Sequence, residues 1–472
     1  MDEPISELIS GLPYSYEASH VAAQIKDDYD KYEGKDVSLA GRIVAVRASG
    51  KLIFLDVLDE SGKIQCYIEF SAIGESQFSQ AKSYNAGDII GVAGTVFKTK
   101  AGEITIKVVK VVLLAKSIKQ LPDKWHGLQD VEIRYRKRFL DLIVNPEVRI
   151  IFKKRSAIIR AMRAFLEGKG FIEIETPVIQ PLYGGADAEP FKTFVNTLAE
   201  EDYLRIANEL YLKRLVIGGF NKVYEIYKAF RNEDIDTTHS PEFTMVELYQ
   251  AYTDYNGMME TAENMLQHIV KSVCQSTTVK YADKDINFAP PFKRIGFIDS
   301  INKKLNVDVL KLSDQELFEV AESHKIKFDK GKRNRAHAYE KLLETLVQPE
   351  ILDPTFVVDF PKETSPLTRP KRGNPDLVER FELYVCGIEL ANAYSELNNP
   401  FIQRKNFEQQ EERARSGDKA AEPLDSDFVD ALEYGMPPTG GMGLGVDRLV
   451  MFLTDKQSIK EVIPFPMEKR QK

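Results

Sequence analysis

Hydrophobic and polar residues alternate with a period of two in five short runs between Val37 and Val112. This period is typical of β-strands that are buried on one face, and residues 14–34 before them predict a short amphipathic helix. Five such strands predict a small closed barrel, of which the five-stranded OB-fold is the common nucleic-acid-binding form. A generic β-barrel or a stack of hairpins remains open. The runs are separated by turn signals, which are Ser49-Gly50, Ser61-Gly62, Ala86-Gly87 and Ala101-Gly102.

The pattern after the predicted barrel changes to irregularly alternating helices and strands. Asn145-Pro146 predicts a helix start, and apolar residues at helical spacing continue to Gly168. A strand is predicted over 171–176, and helices dominate the interval 255–350. Such irregular alternation favours an α+β fold on an antiparallel sheet over a regular βαβ series. Further strands are predicted over 352–360, 379–397 and 438–446.

Composition describes an ordinary globular chain of 472 residues, 43% hydrophobic and 29% charged, with a net charge of -8. The length predicts two to four domains, and the acidic balance excludes a uniformly basic nucleic-acid surface. Basic residues nevertheless outnumber acidic ones 15 to 5 between residues 105 and 165. This segment predicts either a phosphate-facing stripe or a solvated helix face.

These observations predict three parts of the chain. Residues 1–120 form the N-terminal helix and OB-fold, and residues 121–145 form a basic linker that contains Trp125. Residues 146–472 form a larger α+β domain with a helical insertion near 255–350.

The cysteines and the apolar segments bear on the compartment. Cys66, Cys274 and Cys386 are too few and too far apart for a disulfide framework or a thiolate zinc site. No targeting signal is recognisable near the N-terminus, and Val108–Ala115, the most apolar short stretch, is too short to span a bilayer. We expect a reducing, cytoplasmic location, no membrane partner and no structural metal.

The glycine-rich segment Gly440–Gly445 lacks the spacing of a P-loop or a Rossmann fingerprint. It leads into an apolar helix that carries Arg448 in its first turn. A helix N-terminus next to a guanidinium can bind an anion. The same segment also fits a tight strand-to-helix turn.

A second candidate site lies between Val223 and Tyr252, where two predicted strands flank a polar loop. The period of two places Phe243 and Glu247 on one face of the second strand. A carboxylate that faces a core must be paired, so this hairpin is either functional or held by salt bridges.

A third cluster contains Glu382 and Glu389, seven residues apart, with Glu396 another seven further on. Two carboxylates on adjoining extended segments can hold Mg²⁺, which prefers oxygen ligands and shared phosphates.

The segments Ile174–Pro177, Phe230–Thr244 and Gly441–Arg448 resemble, in order, the three signature motifs of class II aminoacyl-tRNA synthetases. Leu204–Leu215 and Asn392–Asn398 narrow the resemblance to the lysyl-tRNA synthetases of that class. The similarity extends from about residue 20 to the C-terminus. It implies a two-step ligase, in which the carboxylate of L-lysine attacks the α-phosphorus of ATP and the lysyl group then moves to the 3′ end of tRNA(Lys).

The resemblance also implies roles for single residues, with Arg231 and Arg448 as the catalytic arginines and Glu382 and Glu389 as the Mg²⁺ ligands. The implied ATP-binding residues are Arg231, Glu233, His239, Phe243, Glu382, Glu389, Asn392 and Arg448. The implied lysine-binding residues are Gly185, Glu209, Glu247, Tyr249, Asn392, Tyr394 and Glu396. The implied anticodon-binding residues on the barrel are Arg47, Phe54 and Gln65.

The resemblance further implies a homodimer through the helix at 147–168 and the strand that ends at Pro177, with packing inside one chain as the alternative. Phe54 has an alternative as well, since it could belong to the barrel core. An aspartyl or asparaginyl enzyme of the same subclass is disfavoured because its substrate needs a cationic pocket, and a non-catalytic RNA-binding module is disfavoured by the intact arginines. Attack of ATP on the adenylate, giving diadenosine polyphosphate, is an implied side activity.

Overall fold

The computed structural model describes residues 9–122, 128–328, 333–415 and 422–469, with the side chains of 413–415 left aside. Trp125 and the other residues of 123–127, near the start of the predicted linker, therefore lie outside the described residues. The chain divides into two compact units, Met1–Gln129 and Asp130–Lys472. The domain limits expected at residues 120 and 145 stay predictions.

The first unit is a closed five-stranded barrel with the strand order β1-β2-β3-β5-β4. Alternate residues of each strand point inward, so that Ile53, Leu55 and Val57 are fully buried in the barrel core. The strands are β1 (Asp36–Ser49), β2 (Leu52–Leu58), β3 (Lys63–Glu69), β4 (Ile89–Lys98) and β5 (Ile104–Ala115). The helices are α1 (Ala22–Asp27), α2 (Tyr29–Tyr32) and α3 (Phe70–Lys82).

Closure of the barrel depends on a parallel contact between β3 and β5 and on a close approach of β4 to β5. A Cβ atom at Gly94 would overlap the backbone carbonyl group of Lys107, so only glycine fits there. Helix α3 connects β3 to β4, as expected for an OB-fold. The predicted OB-fold is confirmed.

The second unit is α+β. Its strands are β6 (Ile172–Glu173), β7 (Ile179–Gln180), β8 (Phe191–Val195), β9 (Glu200–Leu204), β10 (Lys222–Phe230), β11 (Glu242–Ala251), β12 (Thr278–Tyr281), β13 (Lys284–Asn287), β14 (Lys293–Gly296), β15 (Thr355–Pro361), β16 (Pro370–Lys371), β17 (Asn374–Val385), β18 (Ile388–Ser395) and β19 (Thr439–Gly445). Its helices are α4 (Val131–Arg136), α5 (Arg138–Val144), α6 (Val148–Gly168), α7 (Glu209–Ile217), α8 (Tyr255–Cys274), α9 (Phe297–Leu305), α10 (Asp314–Ser323), α11 (Arg335–Leu346), α12 (Pro400–Arg415), α13 (Ser426–Glu433), α14 (Val446–Thr454) and α15 (Ile459–Val462).

The large sheet of this unit has the order β14-β15-β17-β18-β19-β11-β10-β6. Its inner neighbours are antiparallel, and only the outermost pairs, β14–β15 and β10–β6, are parallel. Helices α6, α8 and α14 pack on it through apolar residues such as Ile158, Met265 and Leu449. The predicted antiparallel catalytic sheet is confirmed.

Two stretches differ from the sequence-based expectation. The expected strand 379–397 is two strands, because Cys386 and Gly387 have φ values of 50° and 72° and turn the chain back. The interval 255–350 contains β12, β13 and β14 besides its helices. Helix α8 packs in the main core, whereas α9, α10 and α11 surround an apolar cluster of their own.

The basic segment needs a correction. Arg138 is buried, lies 2.8 Å from an oxygen of Asp141 and donates to the backbone carbonyl group of Pro464. Arg155 pairs with Asp447. These arginines are internal counter-charges because a buried carboxylate needs a partner, so the segment is neither a continuous phosphate stripe nor a wholly solvated face.

None of the helices in the described part of the chain is both long enough and apolar enough to cross a membrane.

Candidate active site

A pocket of about 560 Å³ opens in the second unit beside the centre of the large sheet. Most of the predicted site residues share its wall, although they come from five distant segments. They are Gly185, Glu209, Arg231, Glu233, His239, Phe243, Glu247, Tyr249, Glu389, Asn392, Tyr394 and Arg448. Glu382 and Glu396 lie outside this wall.

The register of three adjacent strands sets the floor of the pocket. Gly443 of β19 pairs with Asn392 of β18 on one side and with Glu247 of β11 on the other. A Cβ atom at Gly441 would overlap the carboxylate of Glu396 and the ring of Tyr249. The glycine-rich segment is therefore mainly a strand, in which the missing side chain of Gly441 leaves room for Glu396 and Tyr249, and helix α14 begins only at Val446.

Buried carboxylates form one part of the wall. Glu209, the first residue of α7, accepts a hydrogen bond of 2.6 Å from the Tyr394 hydroxyl. Glu247 accepts hydrogen bonds from the Tyr227 hydroxyl at 2.5 Å and the Tyr249 hydroxyl at 3.3 Å. Burial, with a contribution from the nearby Glu209, raises the pKa of Glu247 to about 7. A cationic group placed here would relieve the cost of burying these charges.

Lys213 is a residue of this cluster that the sequence analysis did not identify. Its ammonium nitrogen lies 2.5 Å from Glu209 Oε1 and also pairs with Glu396. Lys213 and Glu396 are both fully buried, so Glu396 faces an internal cation. Burial favours a lower pKa for Lys213, but the two carboxylates outweigh it and raise the pKa. The spacing of Glu209 and Lys213, four residues apart on a helix, was the available signal.

Two guanidinium groups form another part of the wall. The Arg231 guanidinium lies 5.3 Å from the centre of the Phe243 ring, next to open pocket. Arg448, in the first turn of α14, donates to the backbone carbonyl of Glu389 at 2.6 Å and lies 3.4 Å from His239 Nε2. Fixed guanidinium groups of this kind suit phosphate and carboxylate groups.

A further residue, Asp236, orients His239. Its carboxylate accepts the backbone N–H groups of Thr238 and His239 and lies 2.8 Å from His239 Nδ1. This arrangement points the other ring nitrogen at Arg448. The sequence analysis missed Asp236 because the turn that brings it under the histidine is formed by the loop itself.

Glu382 and Glu389 form an adjoining acidic pair. Glu382 lies 2.7 Å from Arg380 and accepts a hydrogen bond from the Tyr384 hydroxyl, while the Glu389 side chain is 40% exposed. Burial raises the pKa of Glu382 to about 7, since Arg380 only partly opposes it and Glu389 adds to it. Within the described ranges no group of three or more potential metal-ligating side chains occurs, so a cation here would need further oxygen ligands from a bound molecule.

The barrel has an aromatic surface outside its core. Phe54 is half-buried and its ring lies 5.1 Å from that of Tyr67, which is 6.1 Å from Phe97. Gln65, on the same strand as Tyr67, accepts a hydrogen bond from Thr105. Tyr67 and Phe97 were not identified from the sequence. The cations nearest this surface on the paired strands are Arg47, Lys63 and Lys107, each with about half of its side chain exposed.

Comparisons with known proteins agree with both units. A family model described as tRNA synthetases class II (D, K and N) matches residues 130–469, and one described as OB-fold nucleic acid binding domain matches residues 37–114. The lysine–tRNA ligase of Clostridium novyi (strain NT) is 49% identical over 97% of this chain and 90% of its own length. The lysine–tRNA ligase of Clostridium tetani (strain Massachusetts / E88) is 50% identical over 96% of this chain and 91% of its own length.

The chain therefore belongs to the class II tRNA synthetases. Within that class it belongs with the lysine–tRNA ligases, the name that both relatives carry. The resemblance that the motifs indicated is confirmed, whereas the roles of single residues stay predictions.

We expect the stability of the catalytic unit to depend on pH through Glu247. Because its pKa is raised from 4.5 to about 7, the folded state holds the proton more tightly than the unfolded state. This stabilising contribution is complete below about pH 4.5 and is lost as the pH rises through 7. Its loss lowers the free energy of unfolding by roughly 3 kcal/mol. Glu247→Gln should remove this pH dependence in urea unfolding followed by circular dichroism.

Glu233 is a matched control, since it lines the same pocket but is exposed. Glu233→Gln should unfold with the same pH dependence as the unchanged protein. A difference between Glu247→Gln and the unchanged protein that stays constant from about pH 5 to about pH 8 would contradict the burial of this carboxylate.

Proposed function

We propose that this lysine–tRNA ligase activates L-lysine with ATP in the pocket beside β11, β18 and β19. The observation that carries the proposal is that the carboxylates of Glu209 and Glu247 and the guanidinium groups of Arg231 and Arg448 line one pocket. Arg231 is near enough to Glu247 to oppose the rise of its pKa. An amino acid can thus place an ammonium group at Glu247 while its own carboxylate reaches Arg231.

Arg231 and Arg448 supply the charge that the first step requires. A lysine carboxylate oxygen forms a bond to the α-phosphorus, the bond from that phosphorus to the bridging oxygen breaks, and pyrophosphate leaves with the electron pair. Arg231 binds the lysine carboxylate and the α-phosphate, and Arg448 with His239 binds the leaving phosphates. Positioning and charge stabilisation of this kind carry phosphoryl-type chemistry without a covalent protein intermediate.

The adenine of ATP stacks on Phe243, and Glu233 contacts it from the loop that precedes β11. Glu382 and Glu389 would hold Mg²⁺, which neutralises phosphate charge when it is bound. In the second step the 3′-terminal ribose hydroxyl of tRNA attacks the lysyl carbonyl carbon and AMP leaves.

Lysine recognition rests on charge. Glu209 binds the α-ammonium group beside Gly185, and Glu247 with Tyr249 binds the ε-ammonium group, where Glu396 adds negative charge. An uncharged side chain of similar size, asparagine included, leaves Glu247 without a cation, a penalty of several kcal/mol. An aspartate side chain would meet these carboxylates as a like charge. Both effects argue against the aspartyl and asparaginyl alternatives. Asn392 and Tyr394 complete the contacts to the substrate.

The barrel binds the anticodon of tRNA(Lys) through the surface around Phe54. Its half-buried position outside the core supports this role over the core alternative. Unpaired bases stack on aromatic rings and are read by amide groups such as that of Gln65. Arg47 lies 3.0 Å from Asp56, with half of its side chain exposed, and adds positive charge.

Two copies of the chain associate through α6 and the segment that follows it. Large apolar side chains there are exposed, which is costly unless a partner covers them. They are Ile150, Ile172, Val178, Ile179 and Leu182, with exposed fractions of 40% or more. The free thiols of Cys66, Cys274 and Cys386 are compatible with the expected cytoplasmic location.

ATP–pyrophosphate exchange tests the activation step. We expect exchange with lysine and none with aspartate, and Arg231→Ala should lower kcat/KM by about 100-fold or more. Arg404→Ala is the control, because this half-exposed arginine on α12 is not among the residues that line the pocket and pairs with Glu433 at 3.6 Å. Exchange that depends on aspartate, or normal lysine exchange in Arg231→Ala, would refute the proposal.

Phe54→Ala tests the anticodon surface. It should raise KM for tRNA(Lys) in the charging reaction by roughly tenfold, because stacking contributes about 1–3 kcal/mol per base. Lysine-dependent exchange without tRNA should be unchanged. Val109→Ala removes an exposed apolar residue elsewhere on the barrel and should affect neither reaction. Equal effects of the two variants on KM for tRNA(Lys) would show that the aromatic surface does not bind tRNA.

Ile179→Asp tests the dimer. The unchanged protein should have twice the chain mass of 53.6 kDa in analytical ultracentrifugation. A charge placed on the exposed apolar surface should shift the population to monomers. Val307→Asp changes an exposed apolar residue outside the proposed interface and should leave the dimer intact. A monomeric unchanged protein would be evidence against the interface.

A further inference from the structure

Lys213 lies between two acidic residues from different elements of the fold, of which Glu209 lines the pocket and Glu396 is buried outside its lining. Glu209 begins helix α7, and Glu396 directly follows β18. The Lys213 ammonium group contacts both, with a distance of 2.5 Å to Glu209 Oε1. It is fully buried, so no solvent competes for these contacts.

The Lys213 contact leaves Glu209 clamped at both oxygens. Oε1 accepts from Lys213, and Oε2 accepts from the Tyr394 hydroxyl at 2.6 Å. The carboxylate can then rotate only if one of these hydrogen bonds breaks. Glu209 also lines the open pocket, so this clamp fixes the direction in which a substrate ammonium meets it.

We propose that Lys213 is a positioning and specificity-determining residue: its ammonium group holds Glu209 and Glu396 in the orientation that recognises the two ammonium groups of lysine. This inference rests on the proposed function of the pocket. Lys213 itself does not contact substrate.

The alternative is that Lys213 only stabilises the fold, as buried ion pairs often hold a unique structure without any part in binding. The two interpretations predict different effects of Lys213 on the protonation of the neighbouring carboxylates. The titratable and charged groups that face or act on the Lys213 cluster are Glu209, Glu247, Tyr249, Tyr394, Glu396 and Glu422. Without Lys213, Glu209 and Glu396 lose the cation that both of them contact, and one of the two carboxylates must take up a proton.

Lysine must displace that proton when it binds to a Lys213→Met protein. We therefore expect KM for lysine to rise by about tenfold or more near neutral pH while KM for ATP stays the same. KM for lysine should also fall more steeply with rising pH than in the unchanged enzyme, because lysine binding to the variant releases up to one additional proton. Lysine-dependent exchange in a series of pH values measures both quantities.

Arg214→Met is the matched control. Arg214 is the next residue of the same helix and pairs with Asp425 at 2.8 Å, away from Lys213's carboxylates. Its loss should leave KM for lysine and its pH dependence unchanged. If Lys213→Met behaves like Arg214→Met, Lys213 is not a positioning residue.

A second pair of variants decides the question if Lys213→Met does not fold. Lys213→Met combined with Glu396→Gln replaces the buried ion pair with uncharged groups of similar size, which proteins tolerate well. A higher KM for lysine in this double variant than in Glu396→Gln alone supports the clamp on Glu209, and equal values overturn it. Absence of lysine-dependent exchange in the unchanged protein would instead overturn the proposed function.

Discussion

A carboxylate that is removed from water needs a cation or several hydrogen-bond donors, and this constraint organises the catalytic unit. Glu209, Glu247 and Glu396 come from a helix, a central strand and the end of another strand, yet they share one buried region. Tyrosine hydroxyl groups and Lys213 satisfy part of their hydrogen-bonding capacity. The remaining negative charge can accept a bound cation, and this is the physical basis of the lysine recognition that we propose for the pocket.

The sheet makes this concentration of charge possible because alternate residues of its strand β19, Gly441 and Gly443, carry no side chain. They lie between the acidic strand β11 and the strand β18 that carries Asn392 and Tyr394. A side chain at Gly441 would overlap Glu396 and Tyr249, so the glycine gives these two residues their space. Beyond the strand, the chain enters α14 and places Arg448 beside His239, so cationic and anionic recognition are built on one continuous backbone segment.

The barrel presents a different kind of surface from the catalytic pocket. The cations Arg47, Lys63 and Lys107 are about half exposed, where each ion pair contributes little by itself, and the aromatic rings lie outside the core on paired strands. Such a surface suits a flexible polyanion with unstacked bases, whereas the dry catalytic pocket suits a small molecule of defined charge. A net charge of -8 for the whole chain conceals both arrangements.

Local patterns in the sequence determined the elements. The period of two in the first 115 residues predicted the barrel, and the same period placed Phe243 and Glu247 on one face of β11. The motif order predicted the class of enzyme, and the residues on the pocket wall followed from it. Only the tertiary structure decided which distant side chains meet: Arg155 pairs with Asp447, Lys213 joins Glu209 to Glu396, and Tyr67 and Phe97 lie beside Phe54. Periodicity reports which face of an element is buried, but pairing depends on strand register and on helix placement, and these are set by packing among residues far apart in the chain.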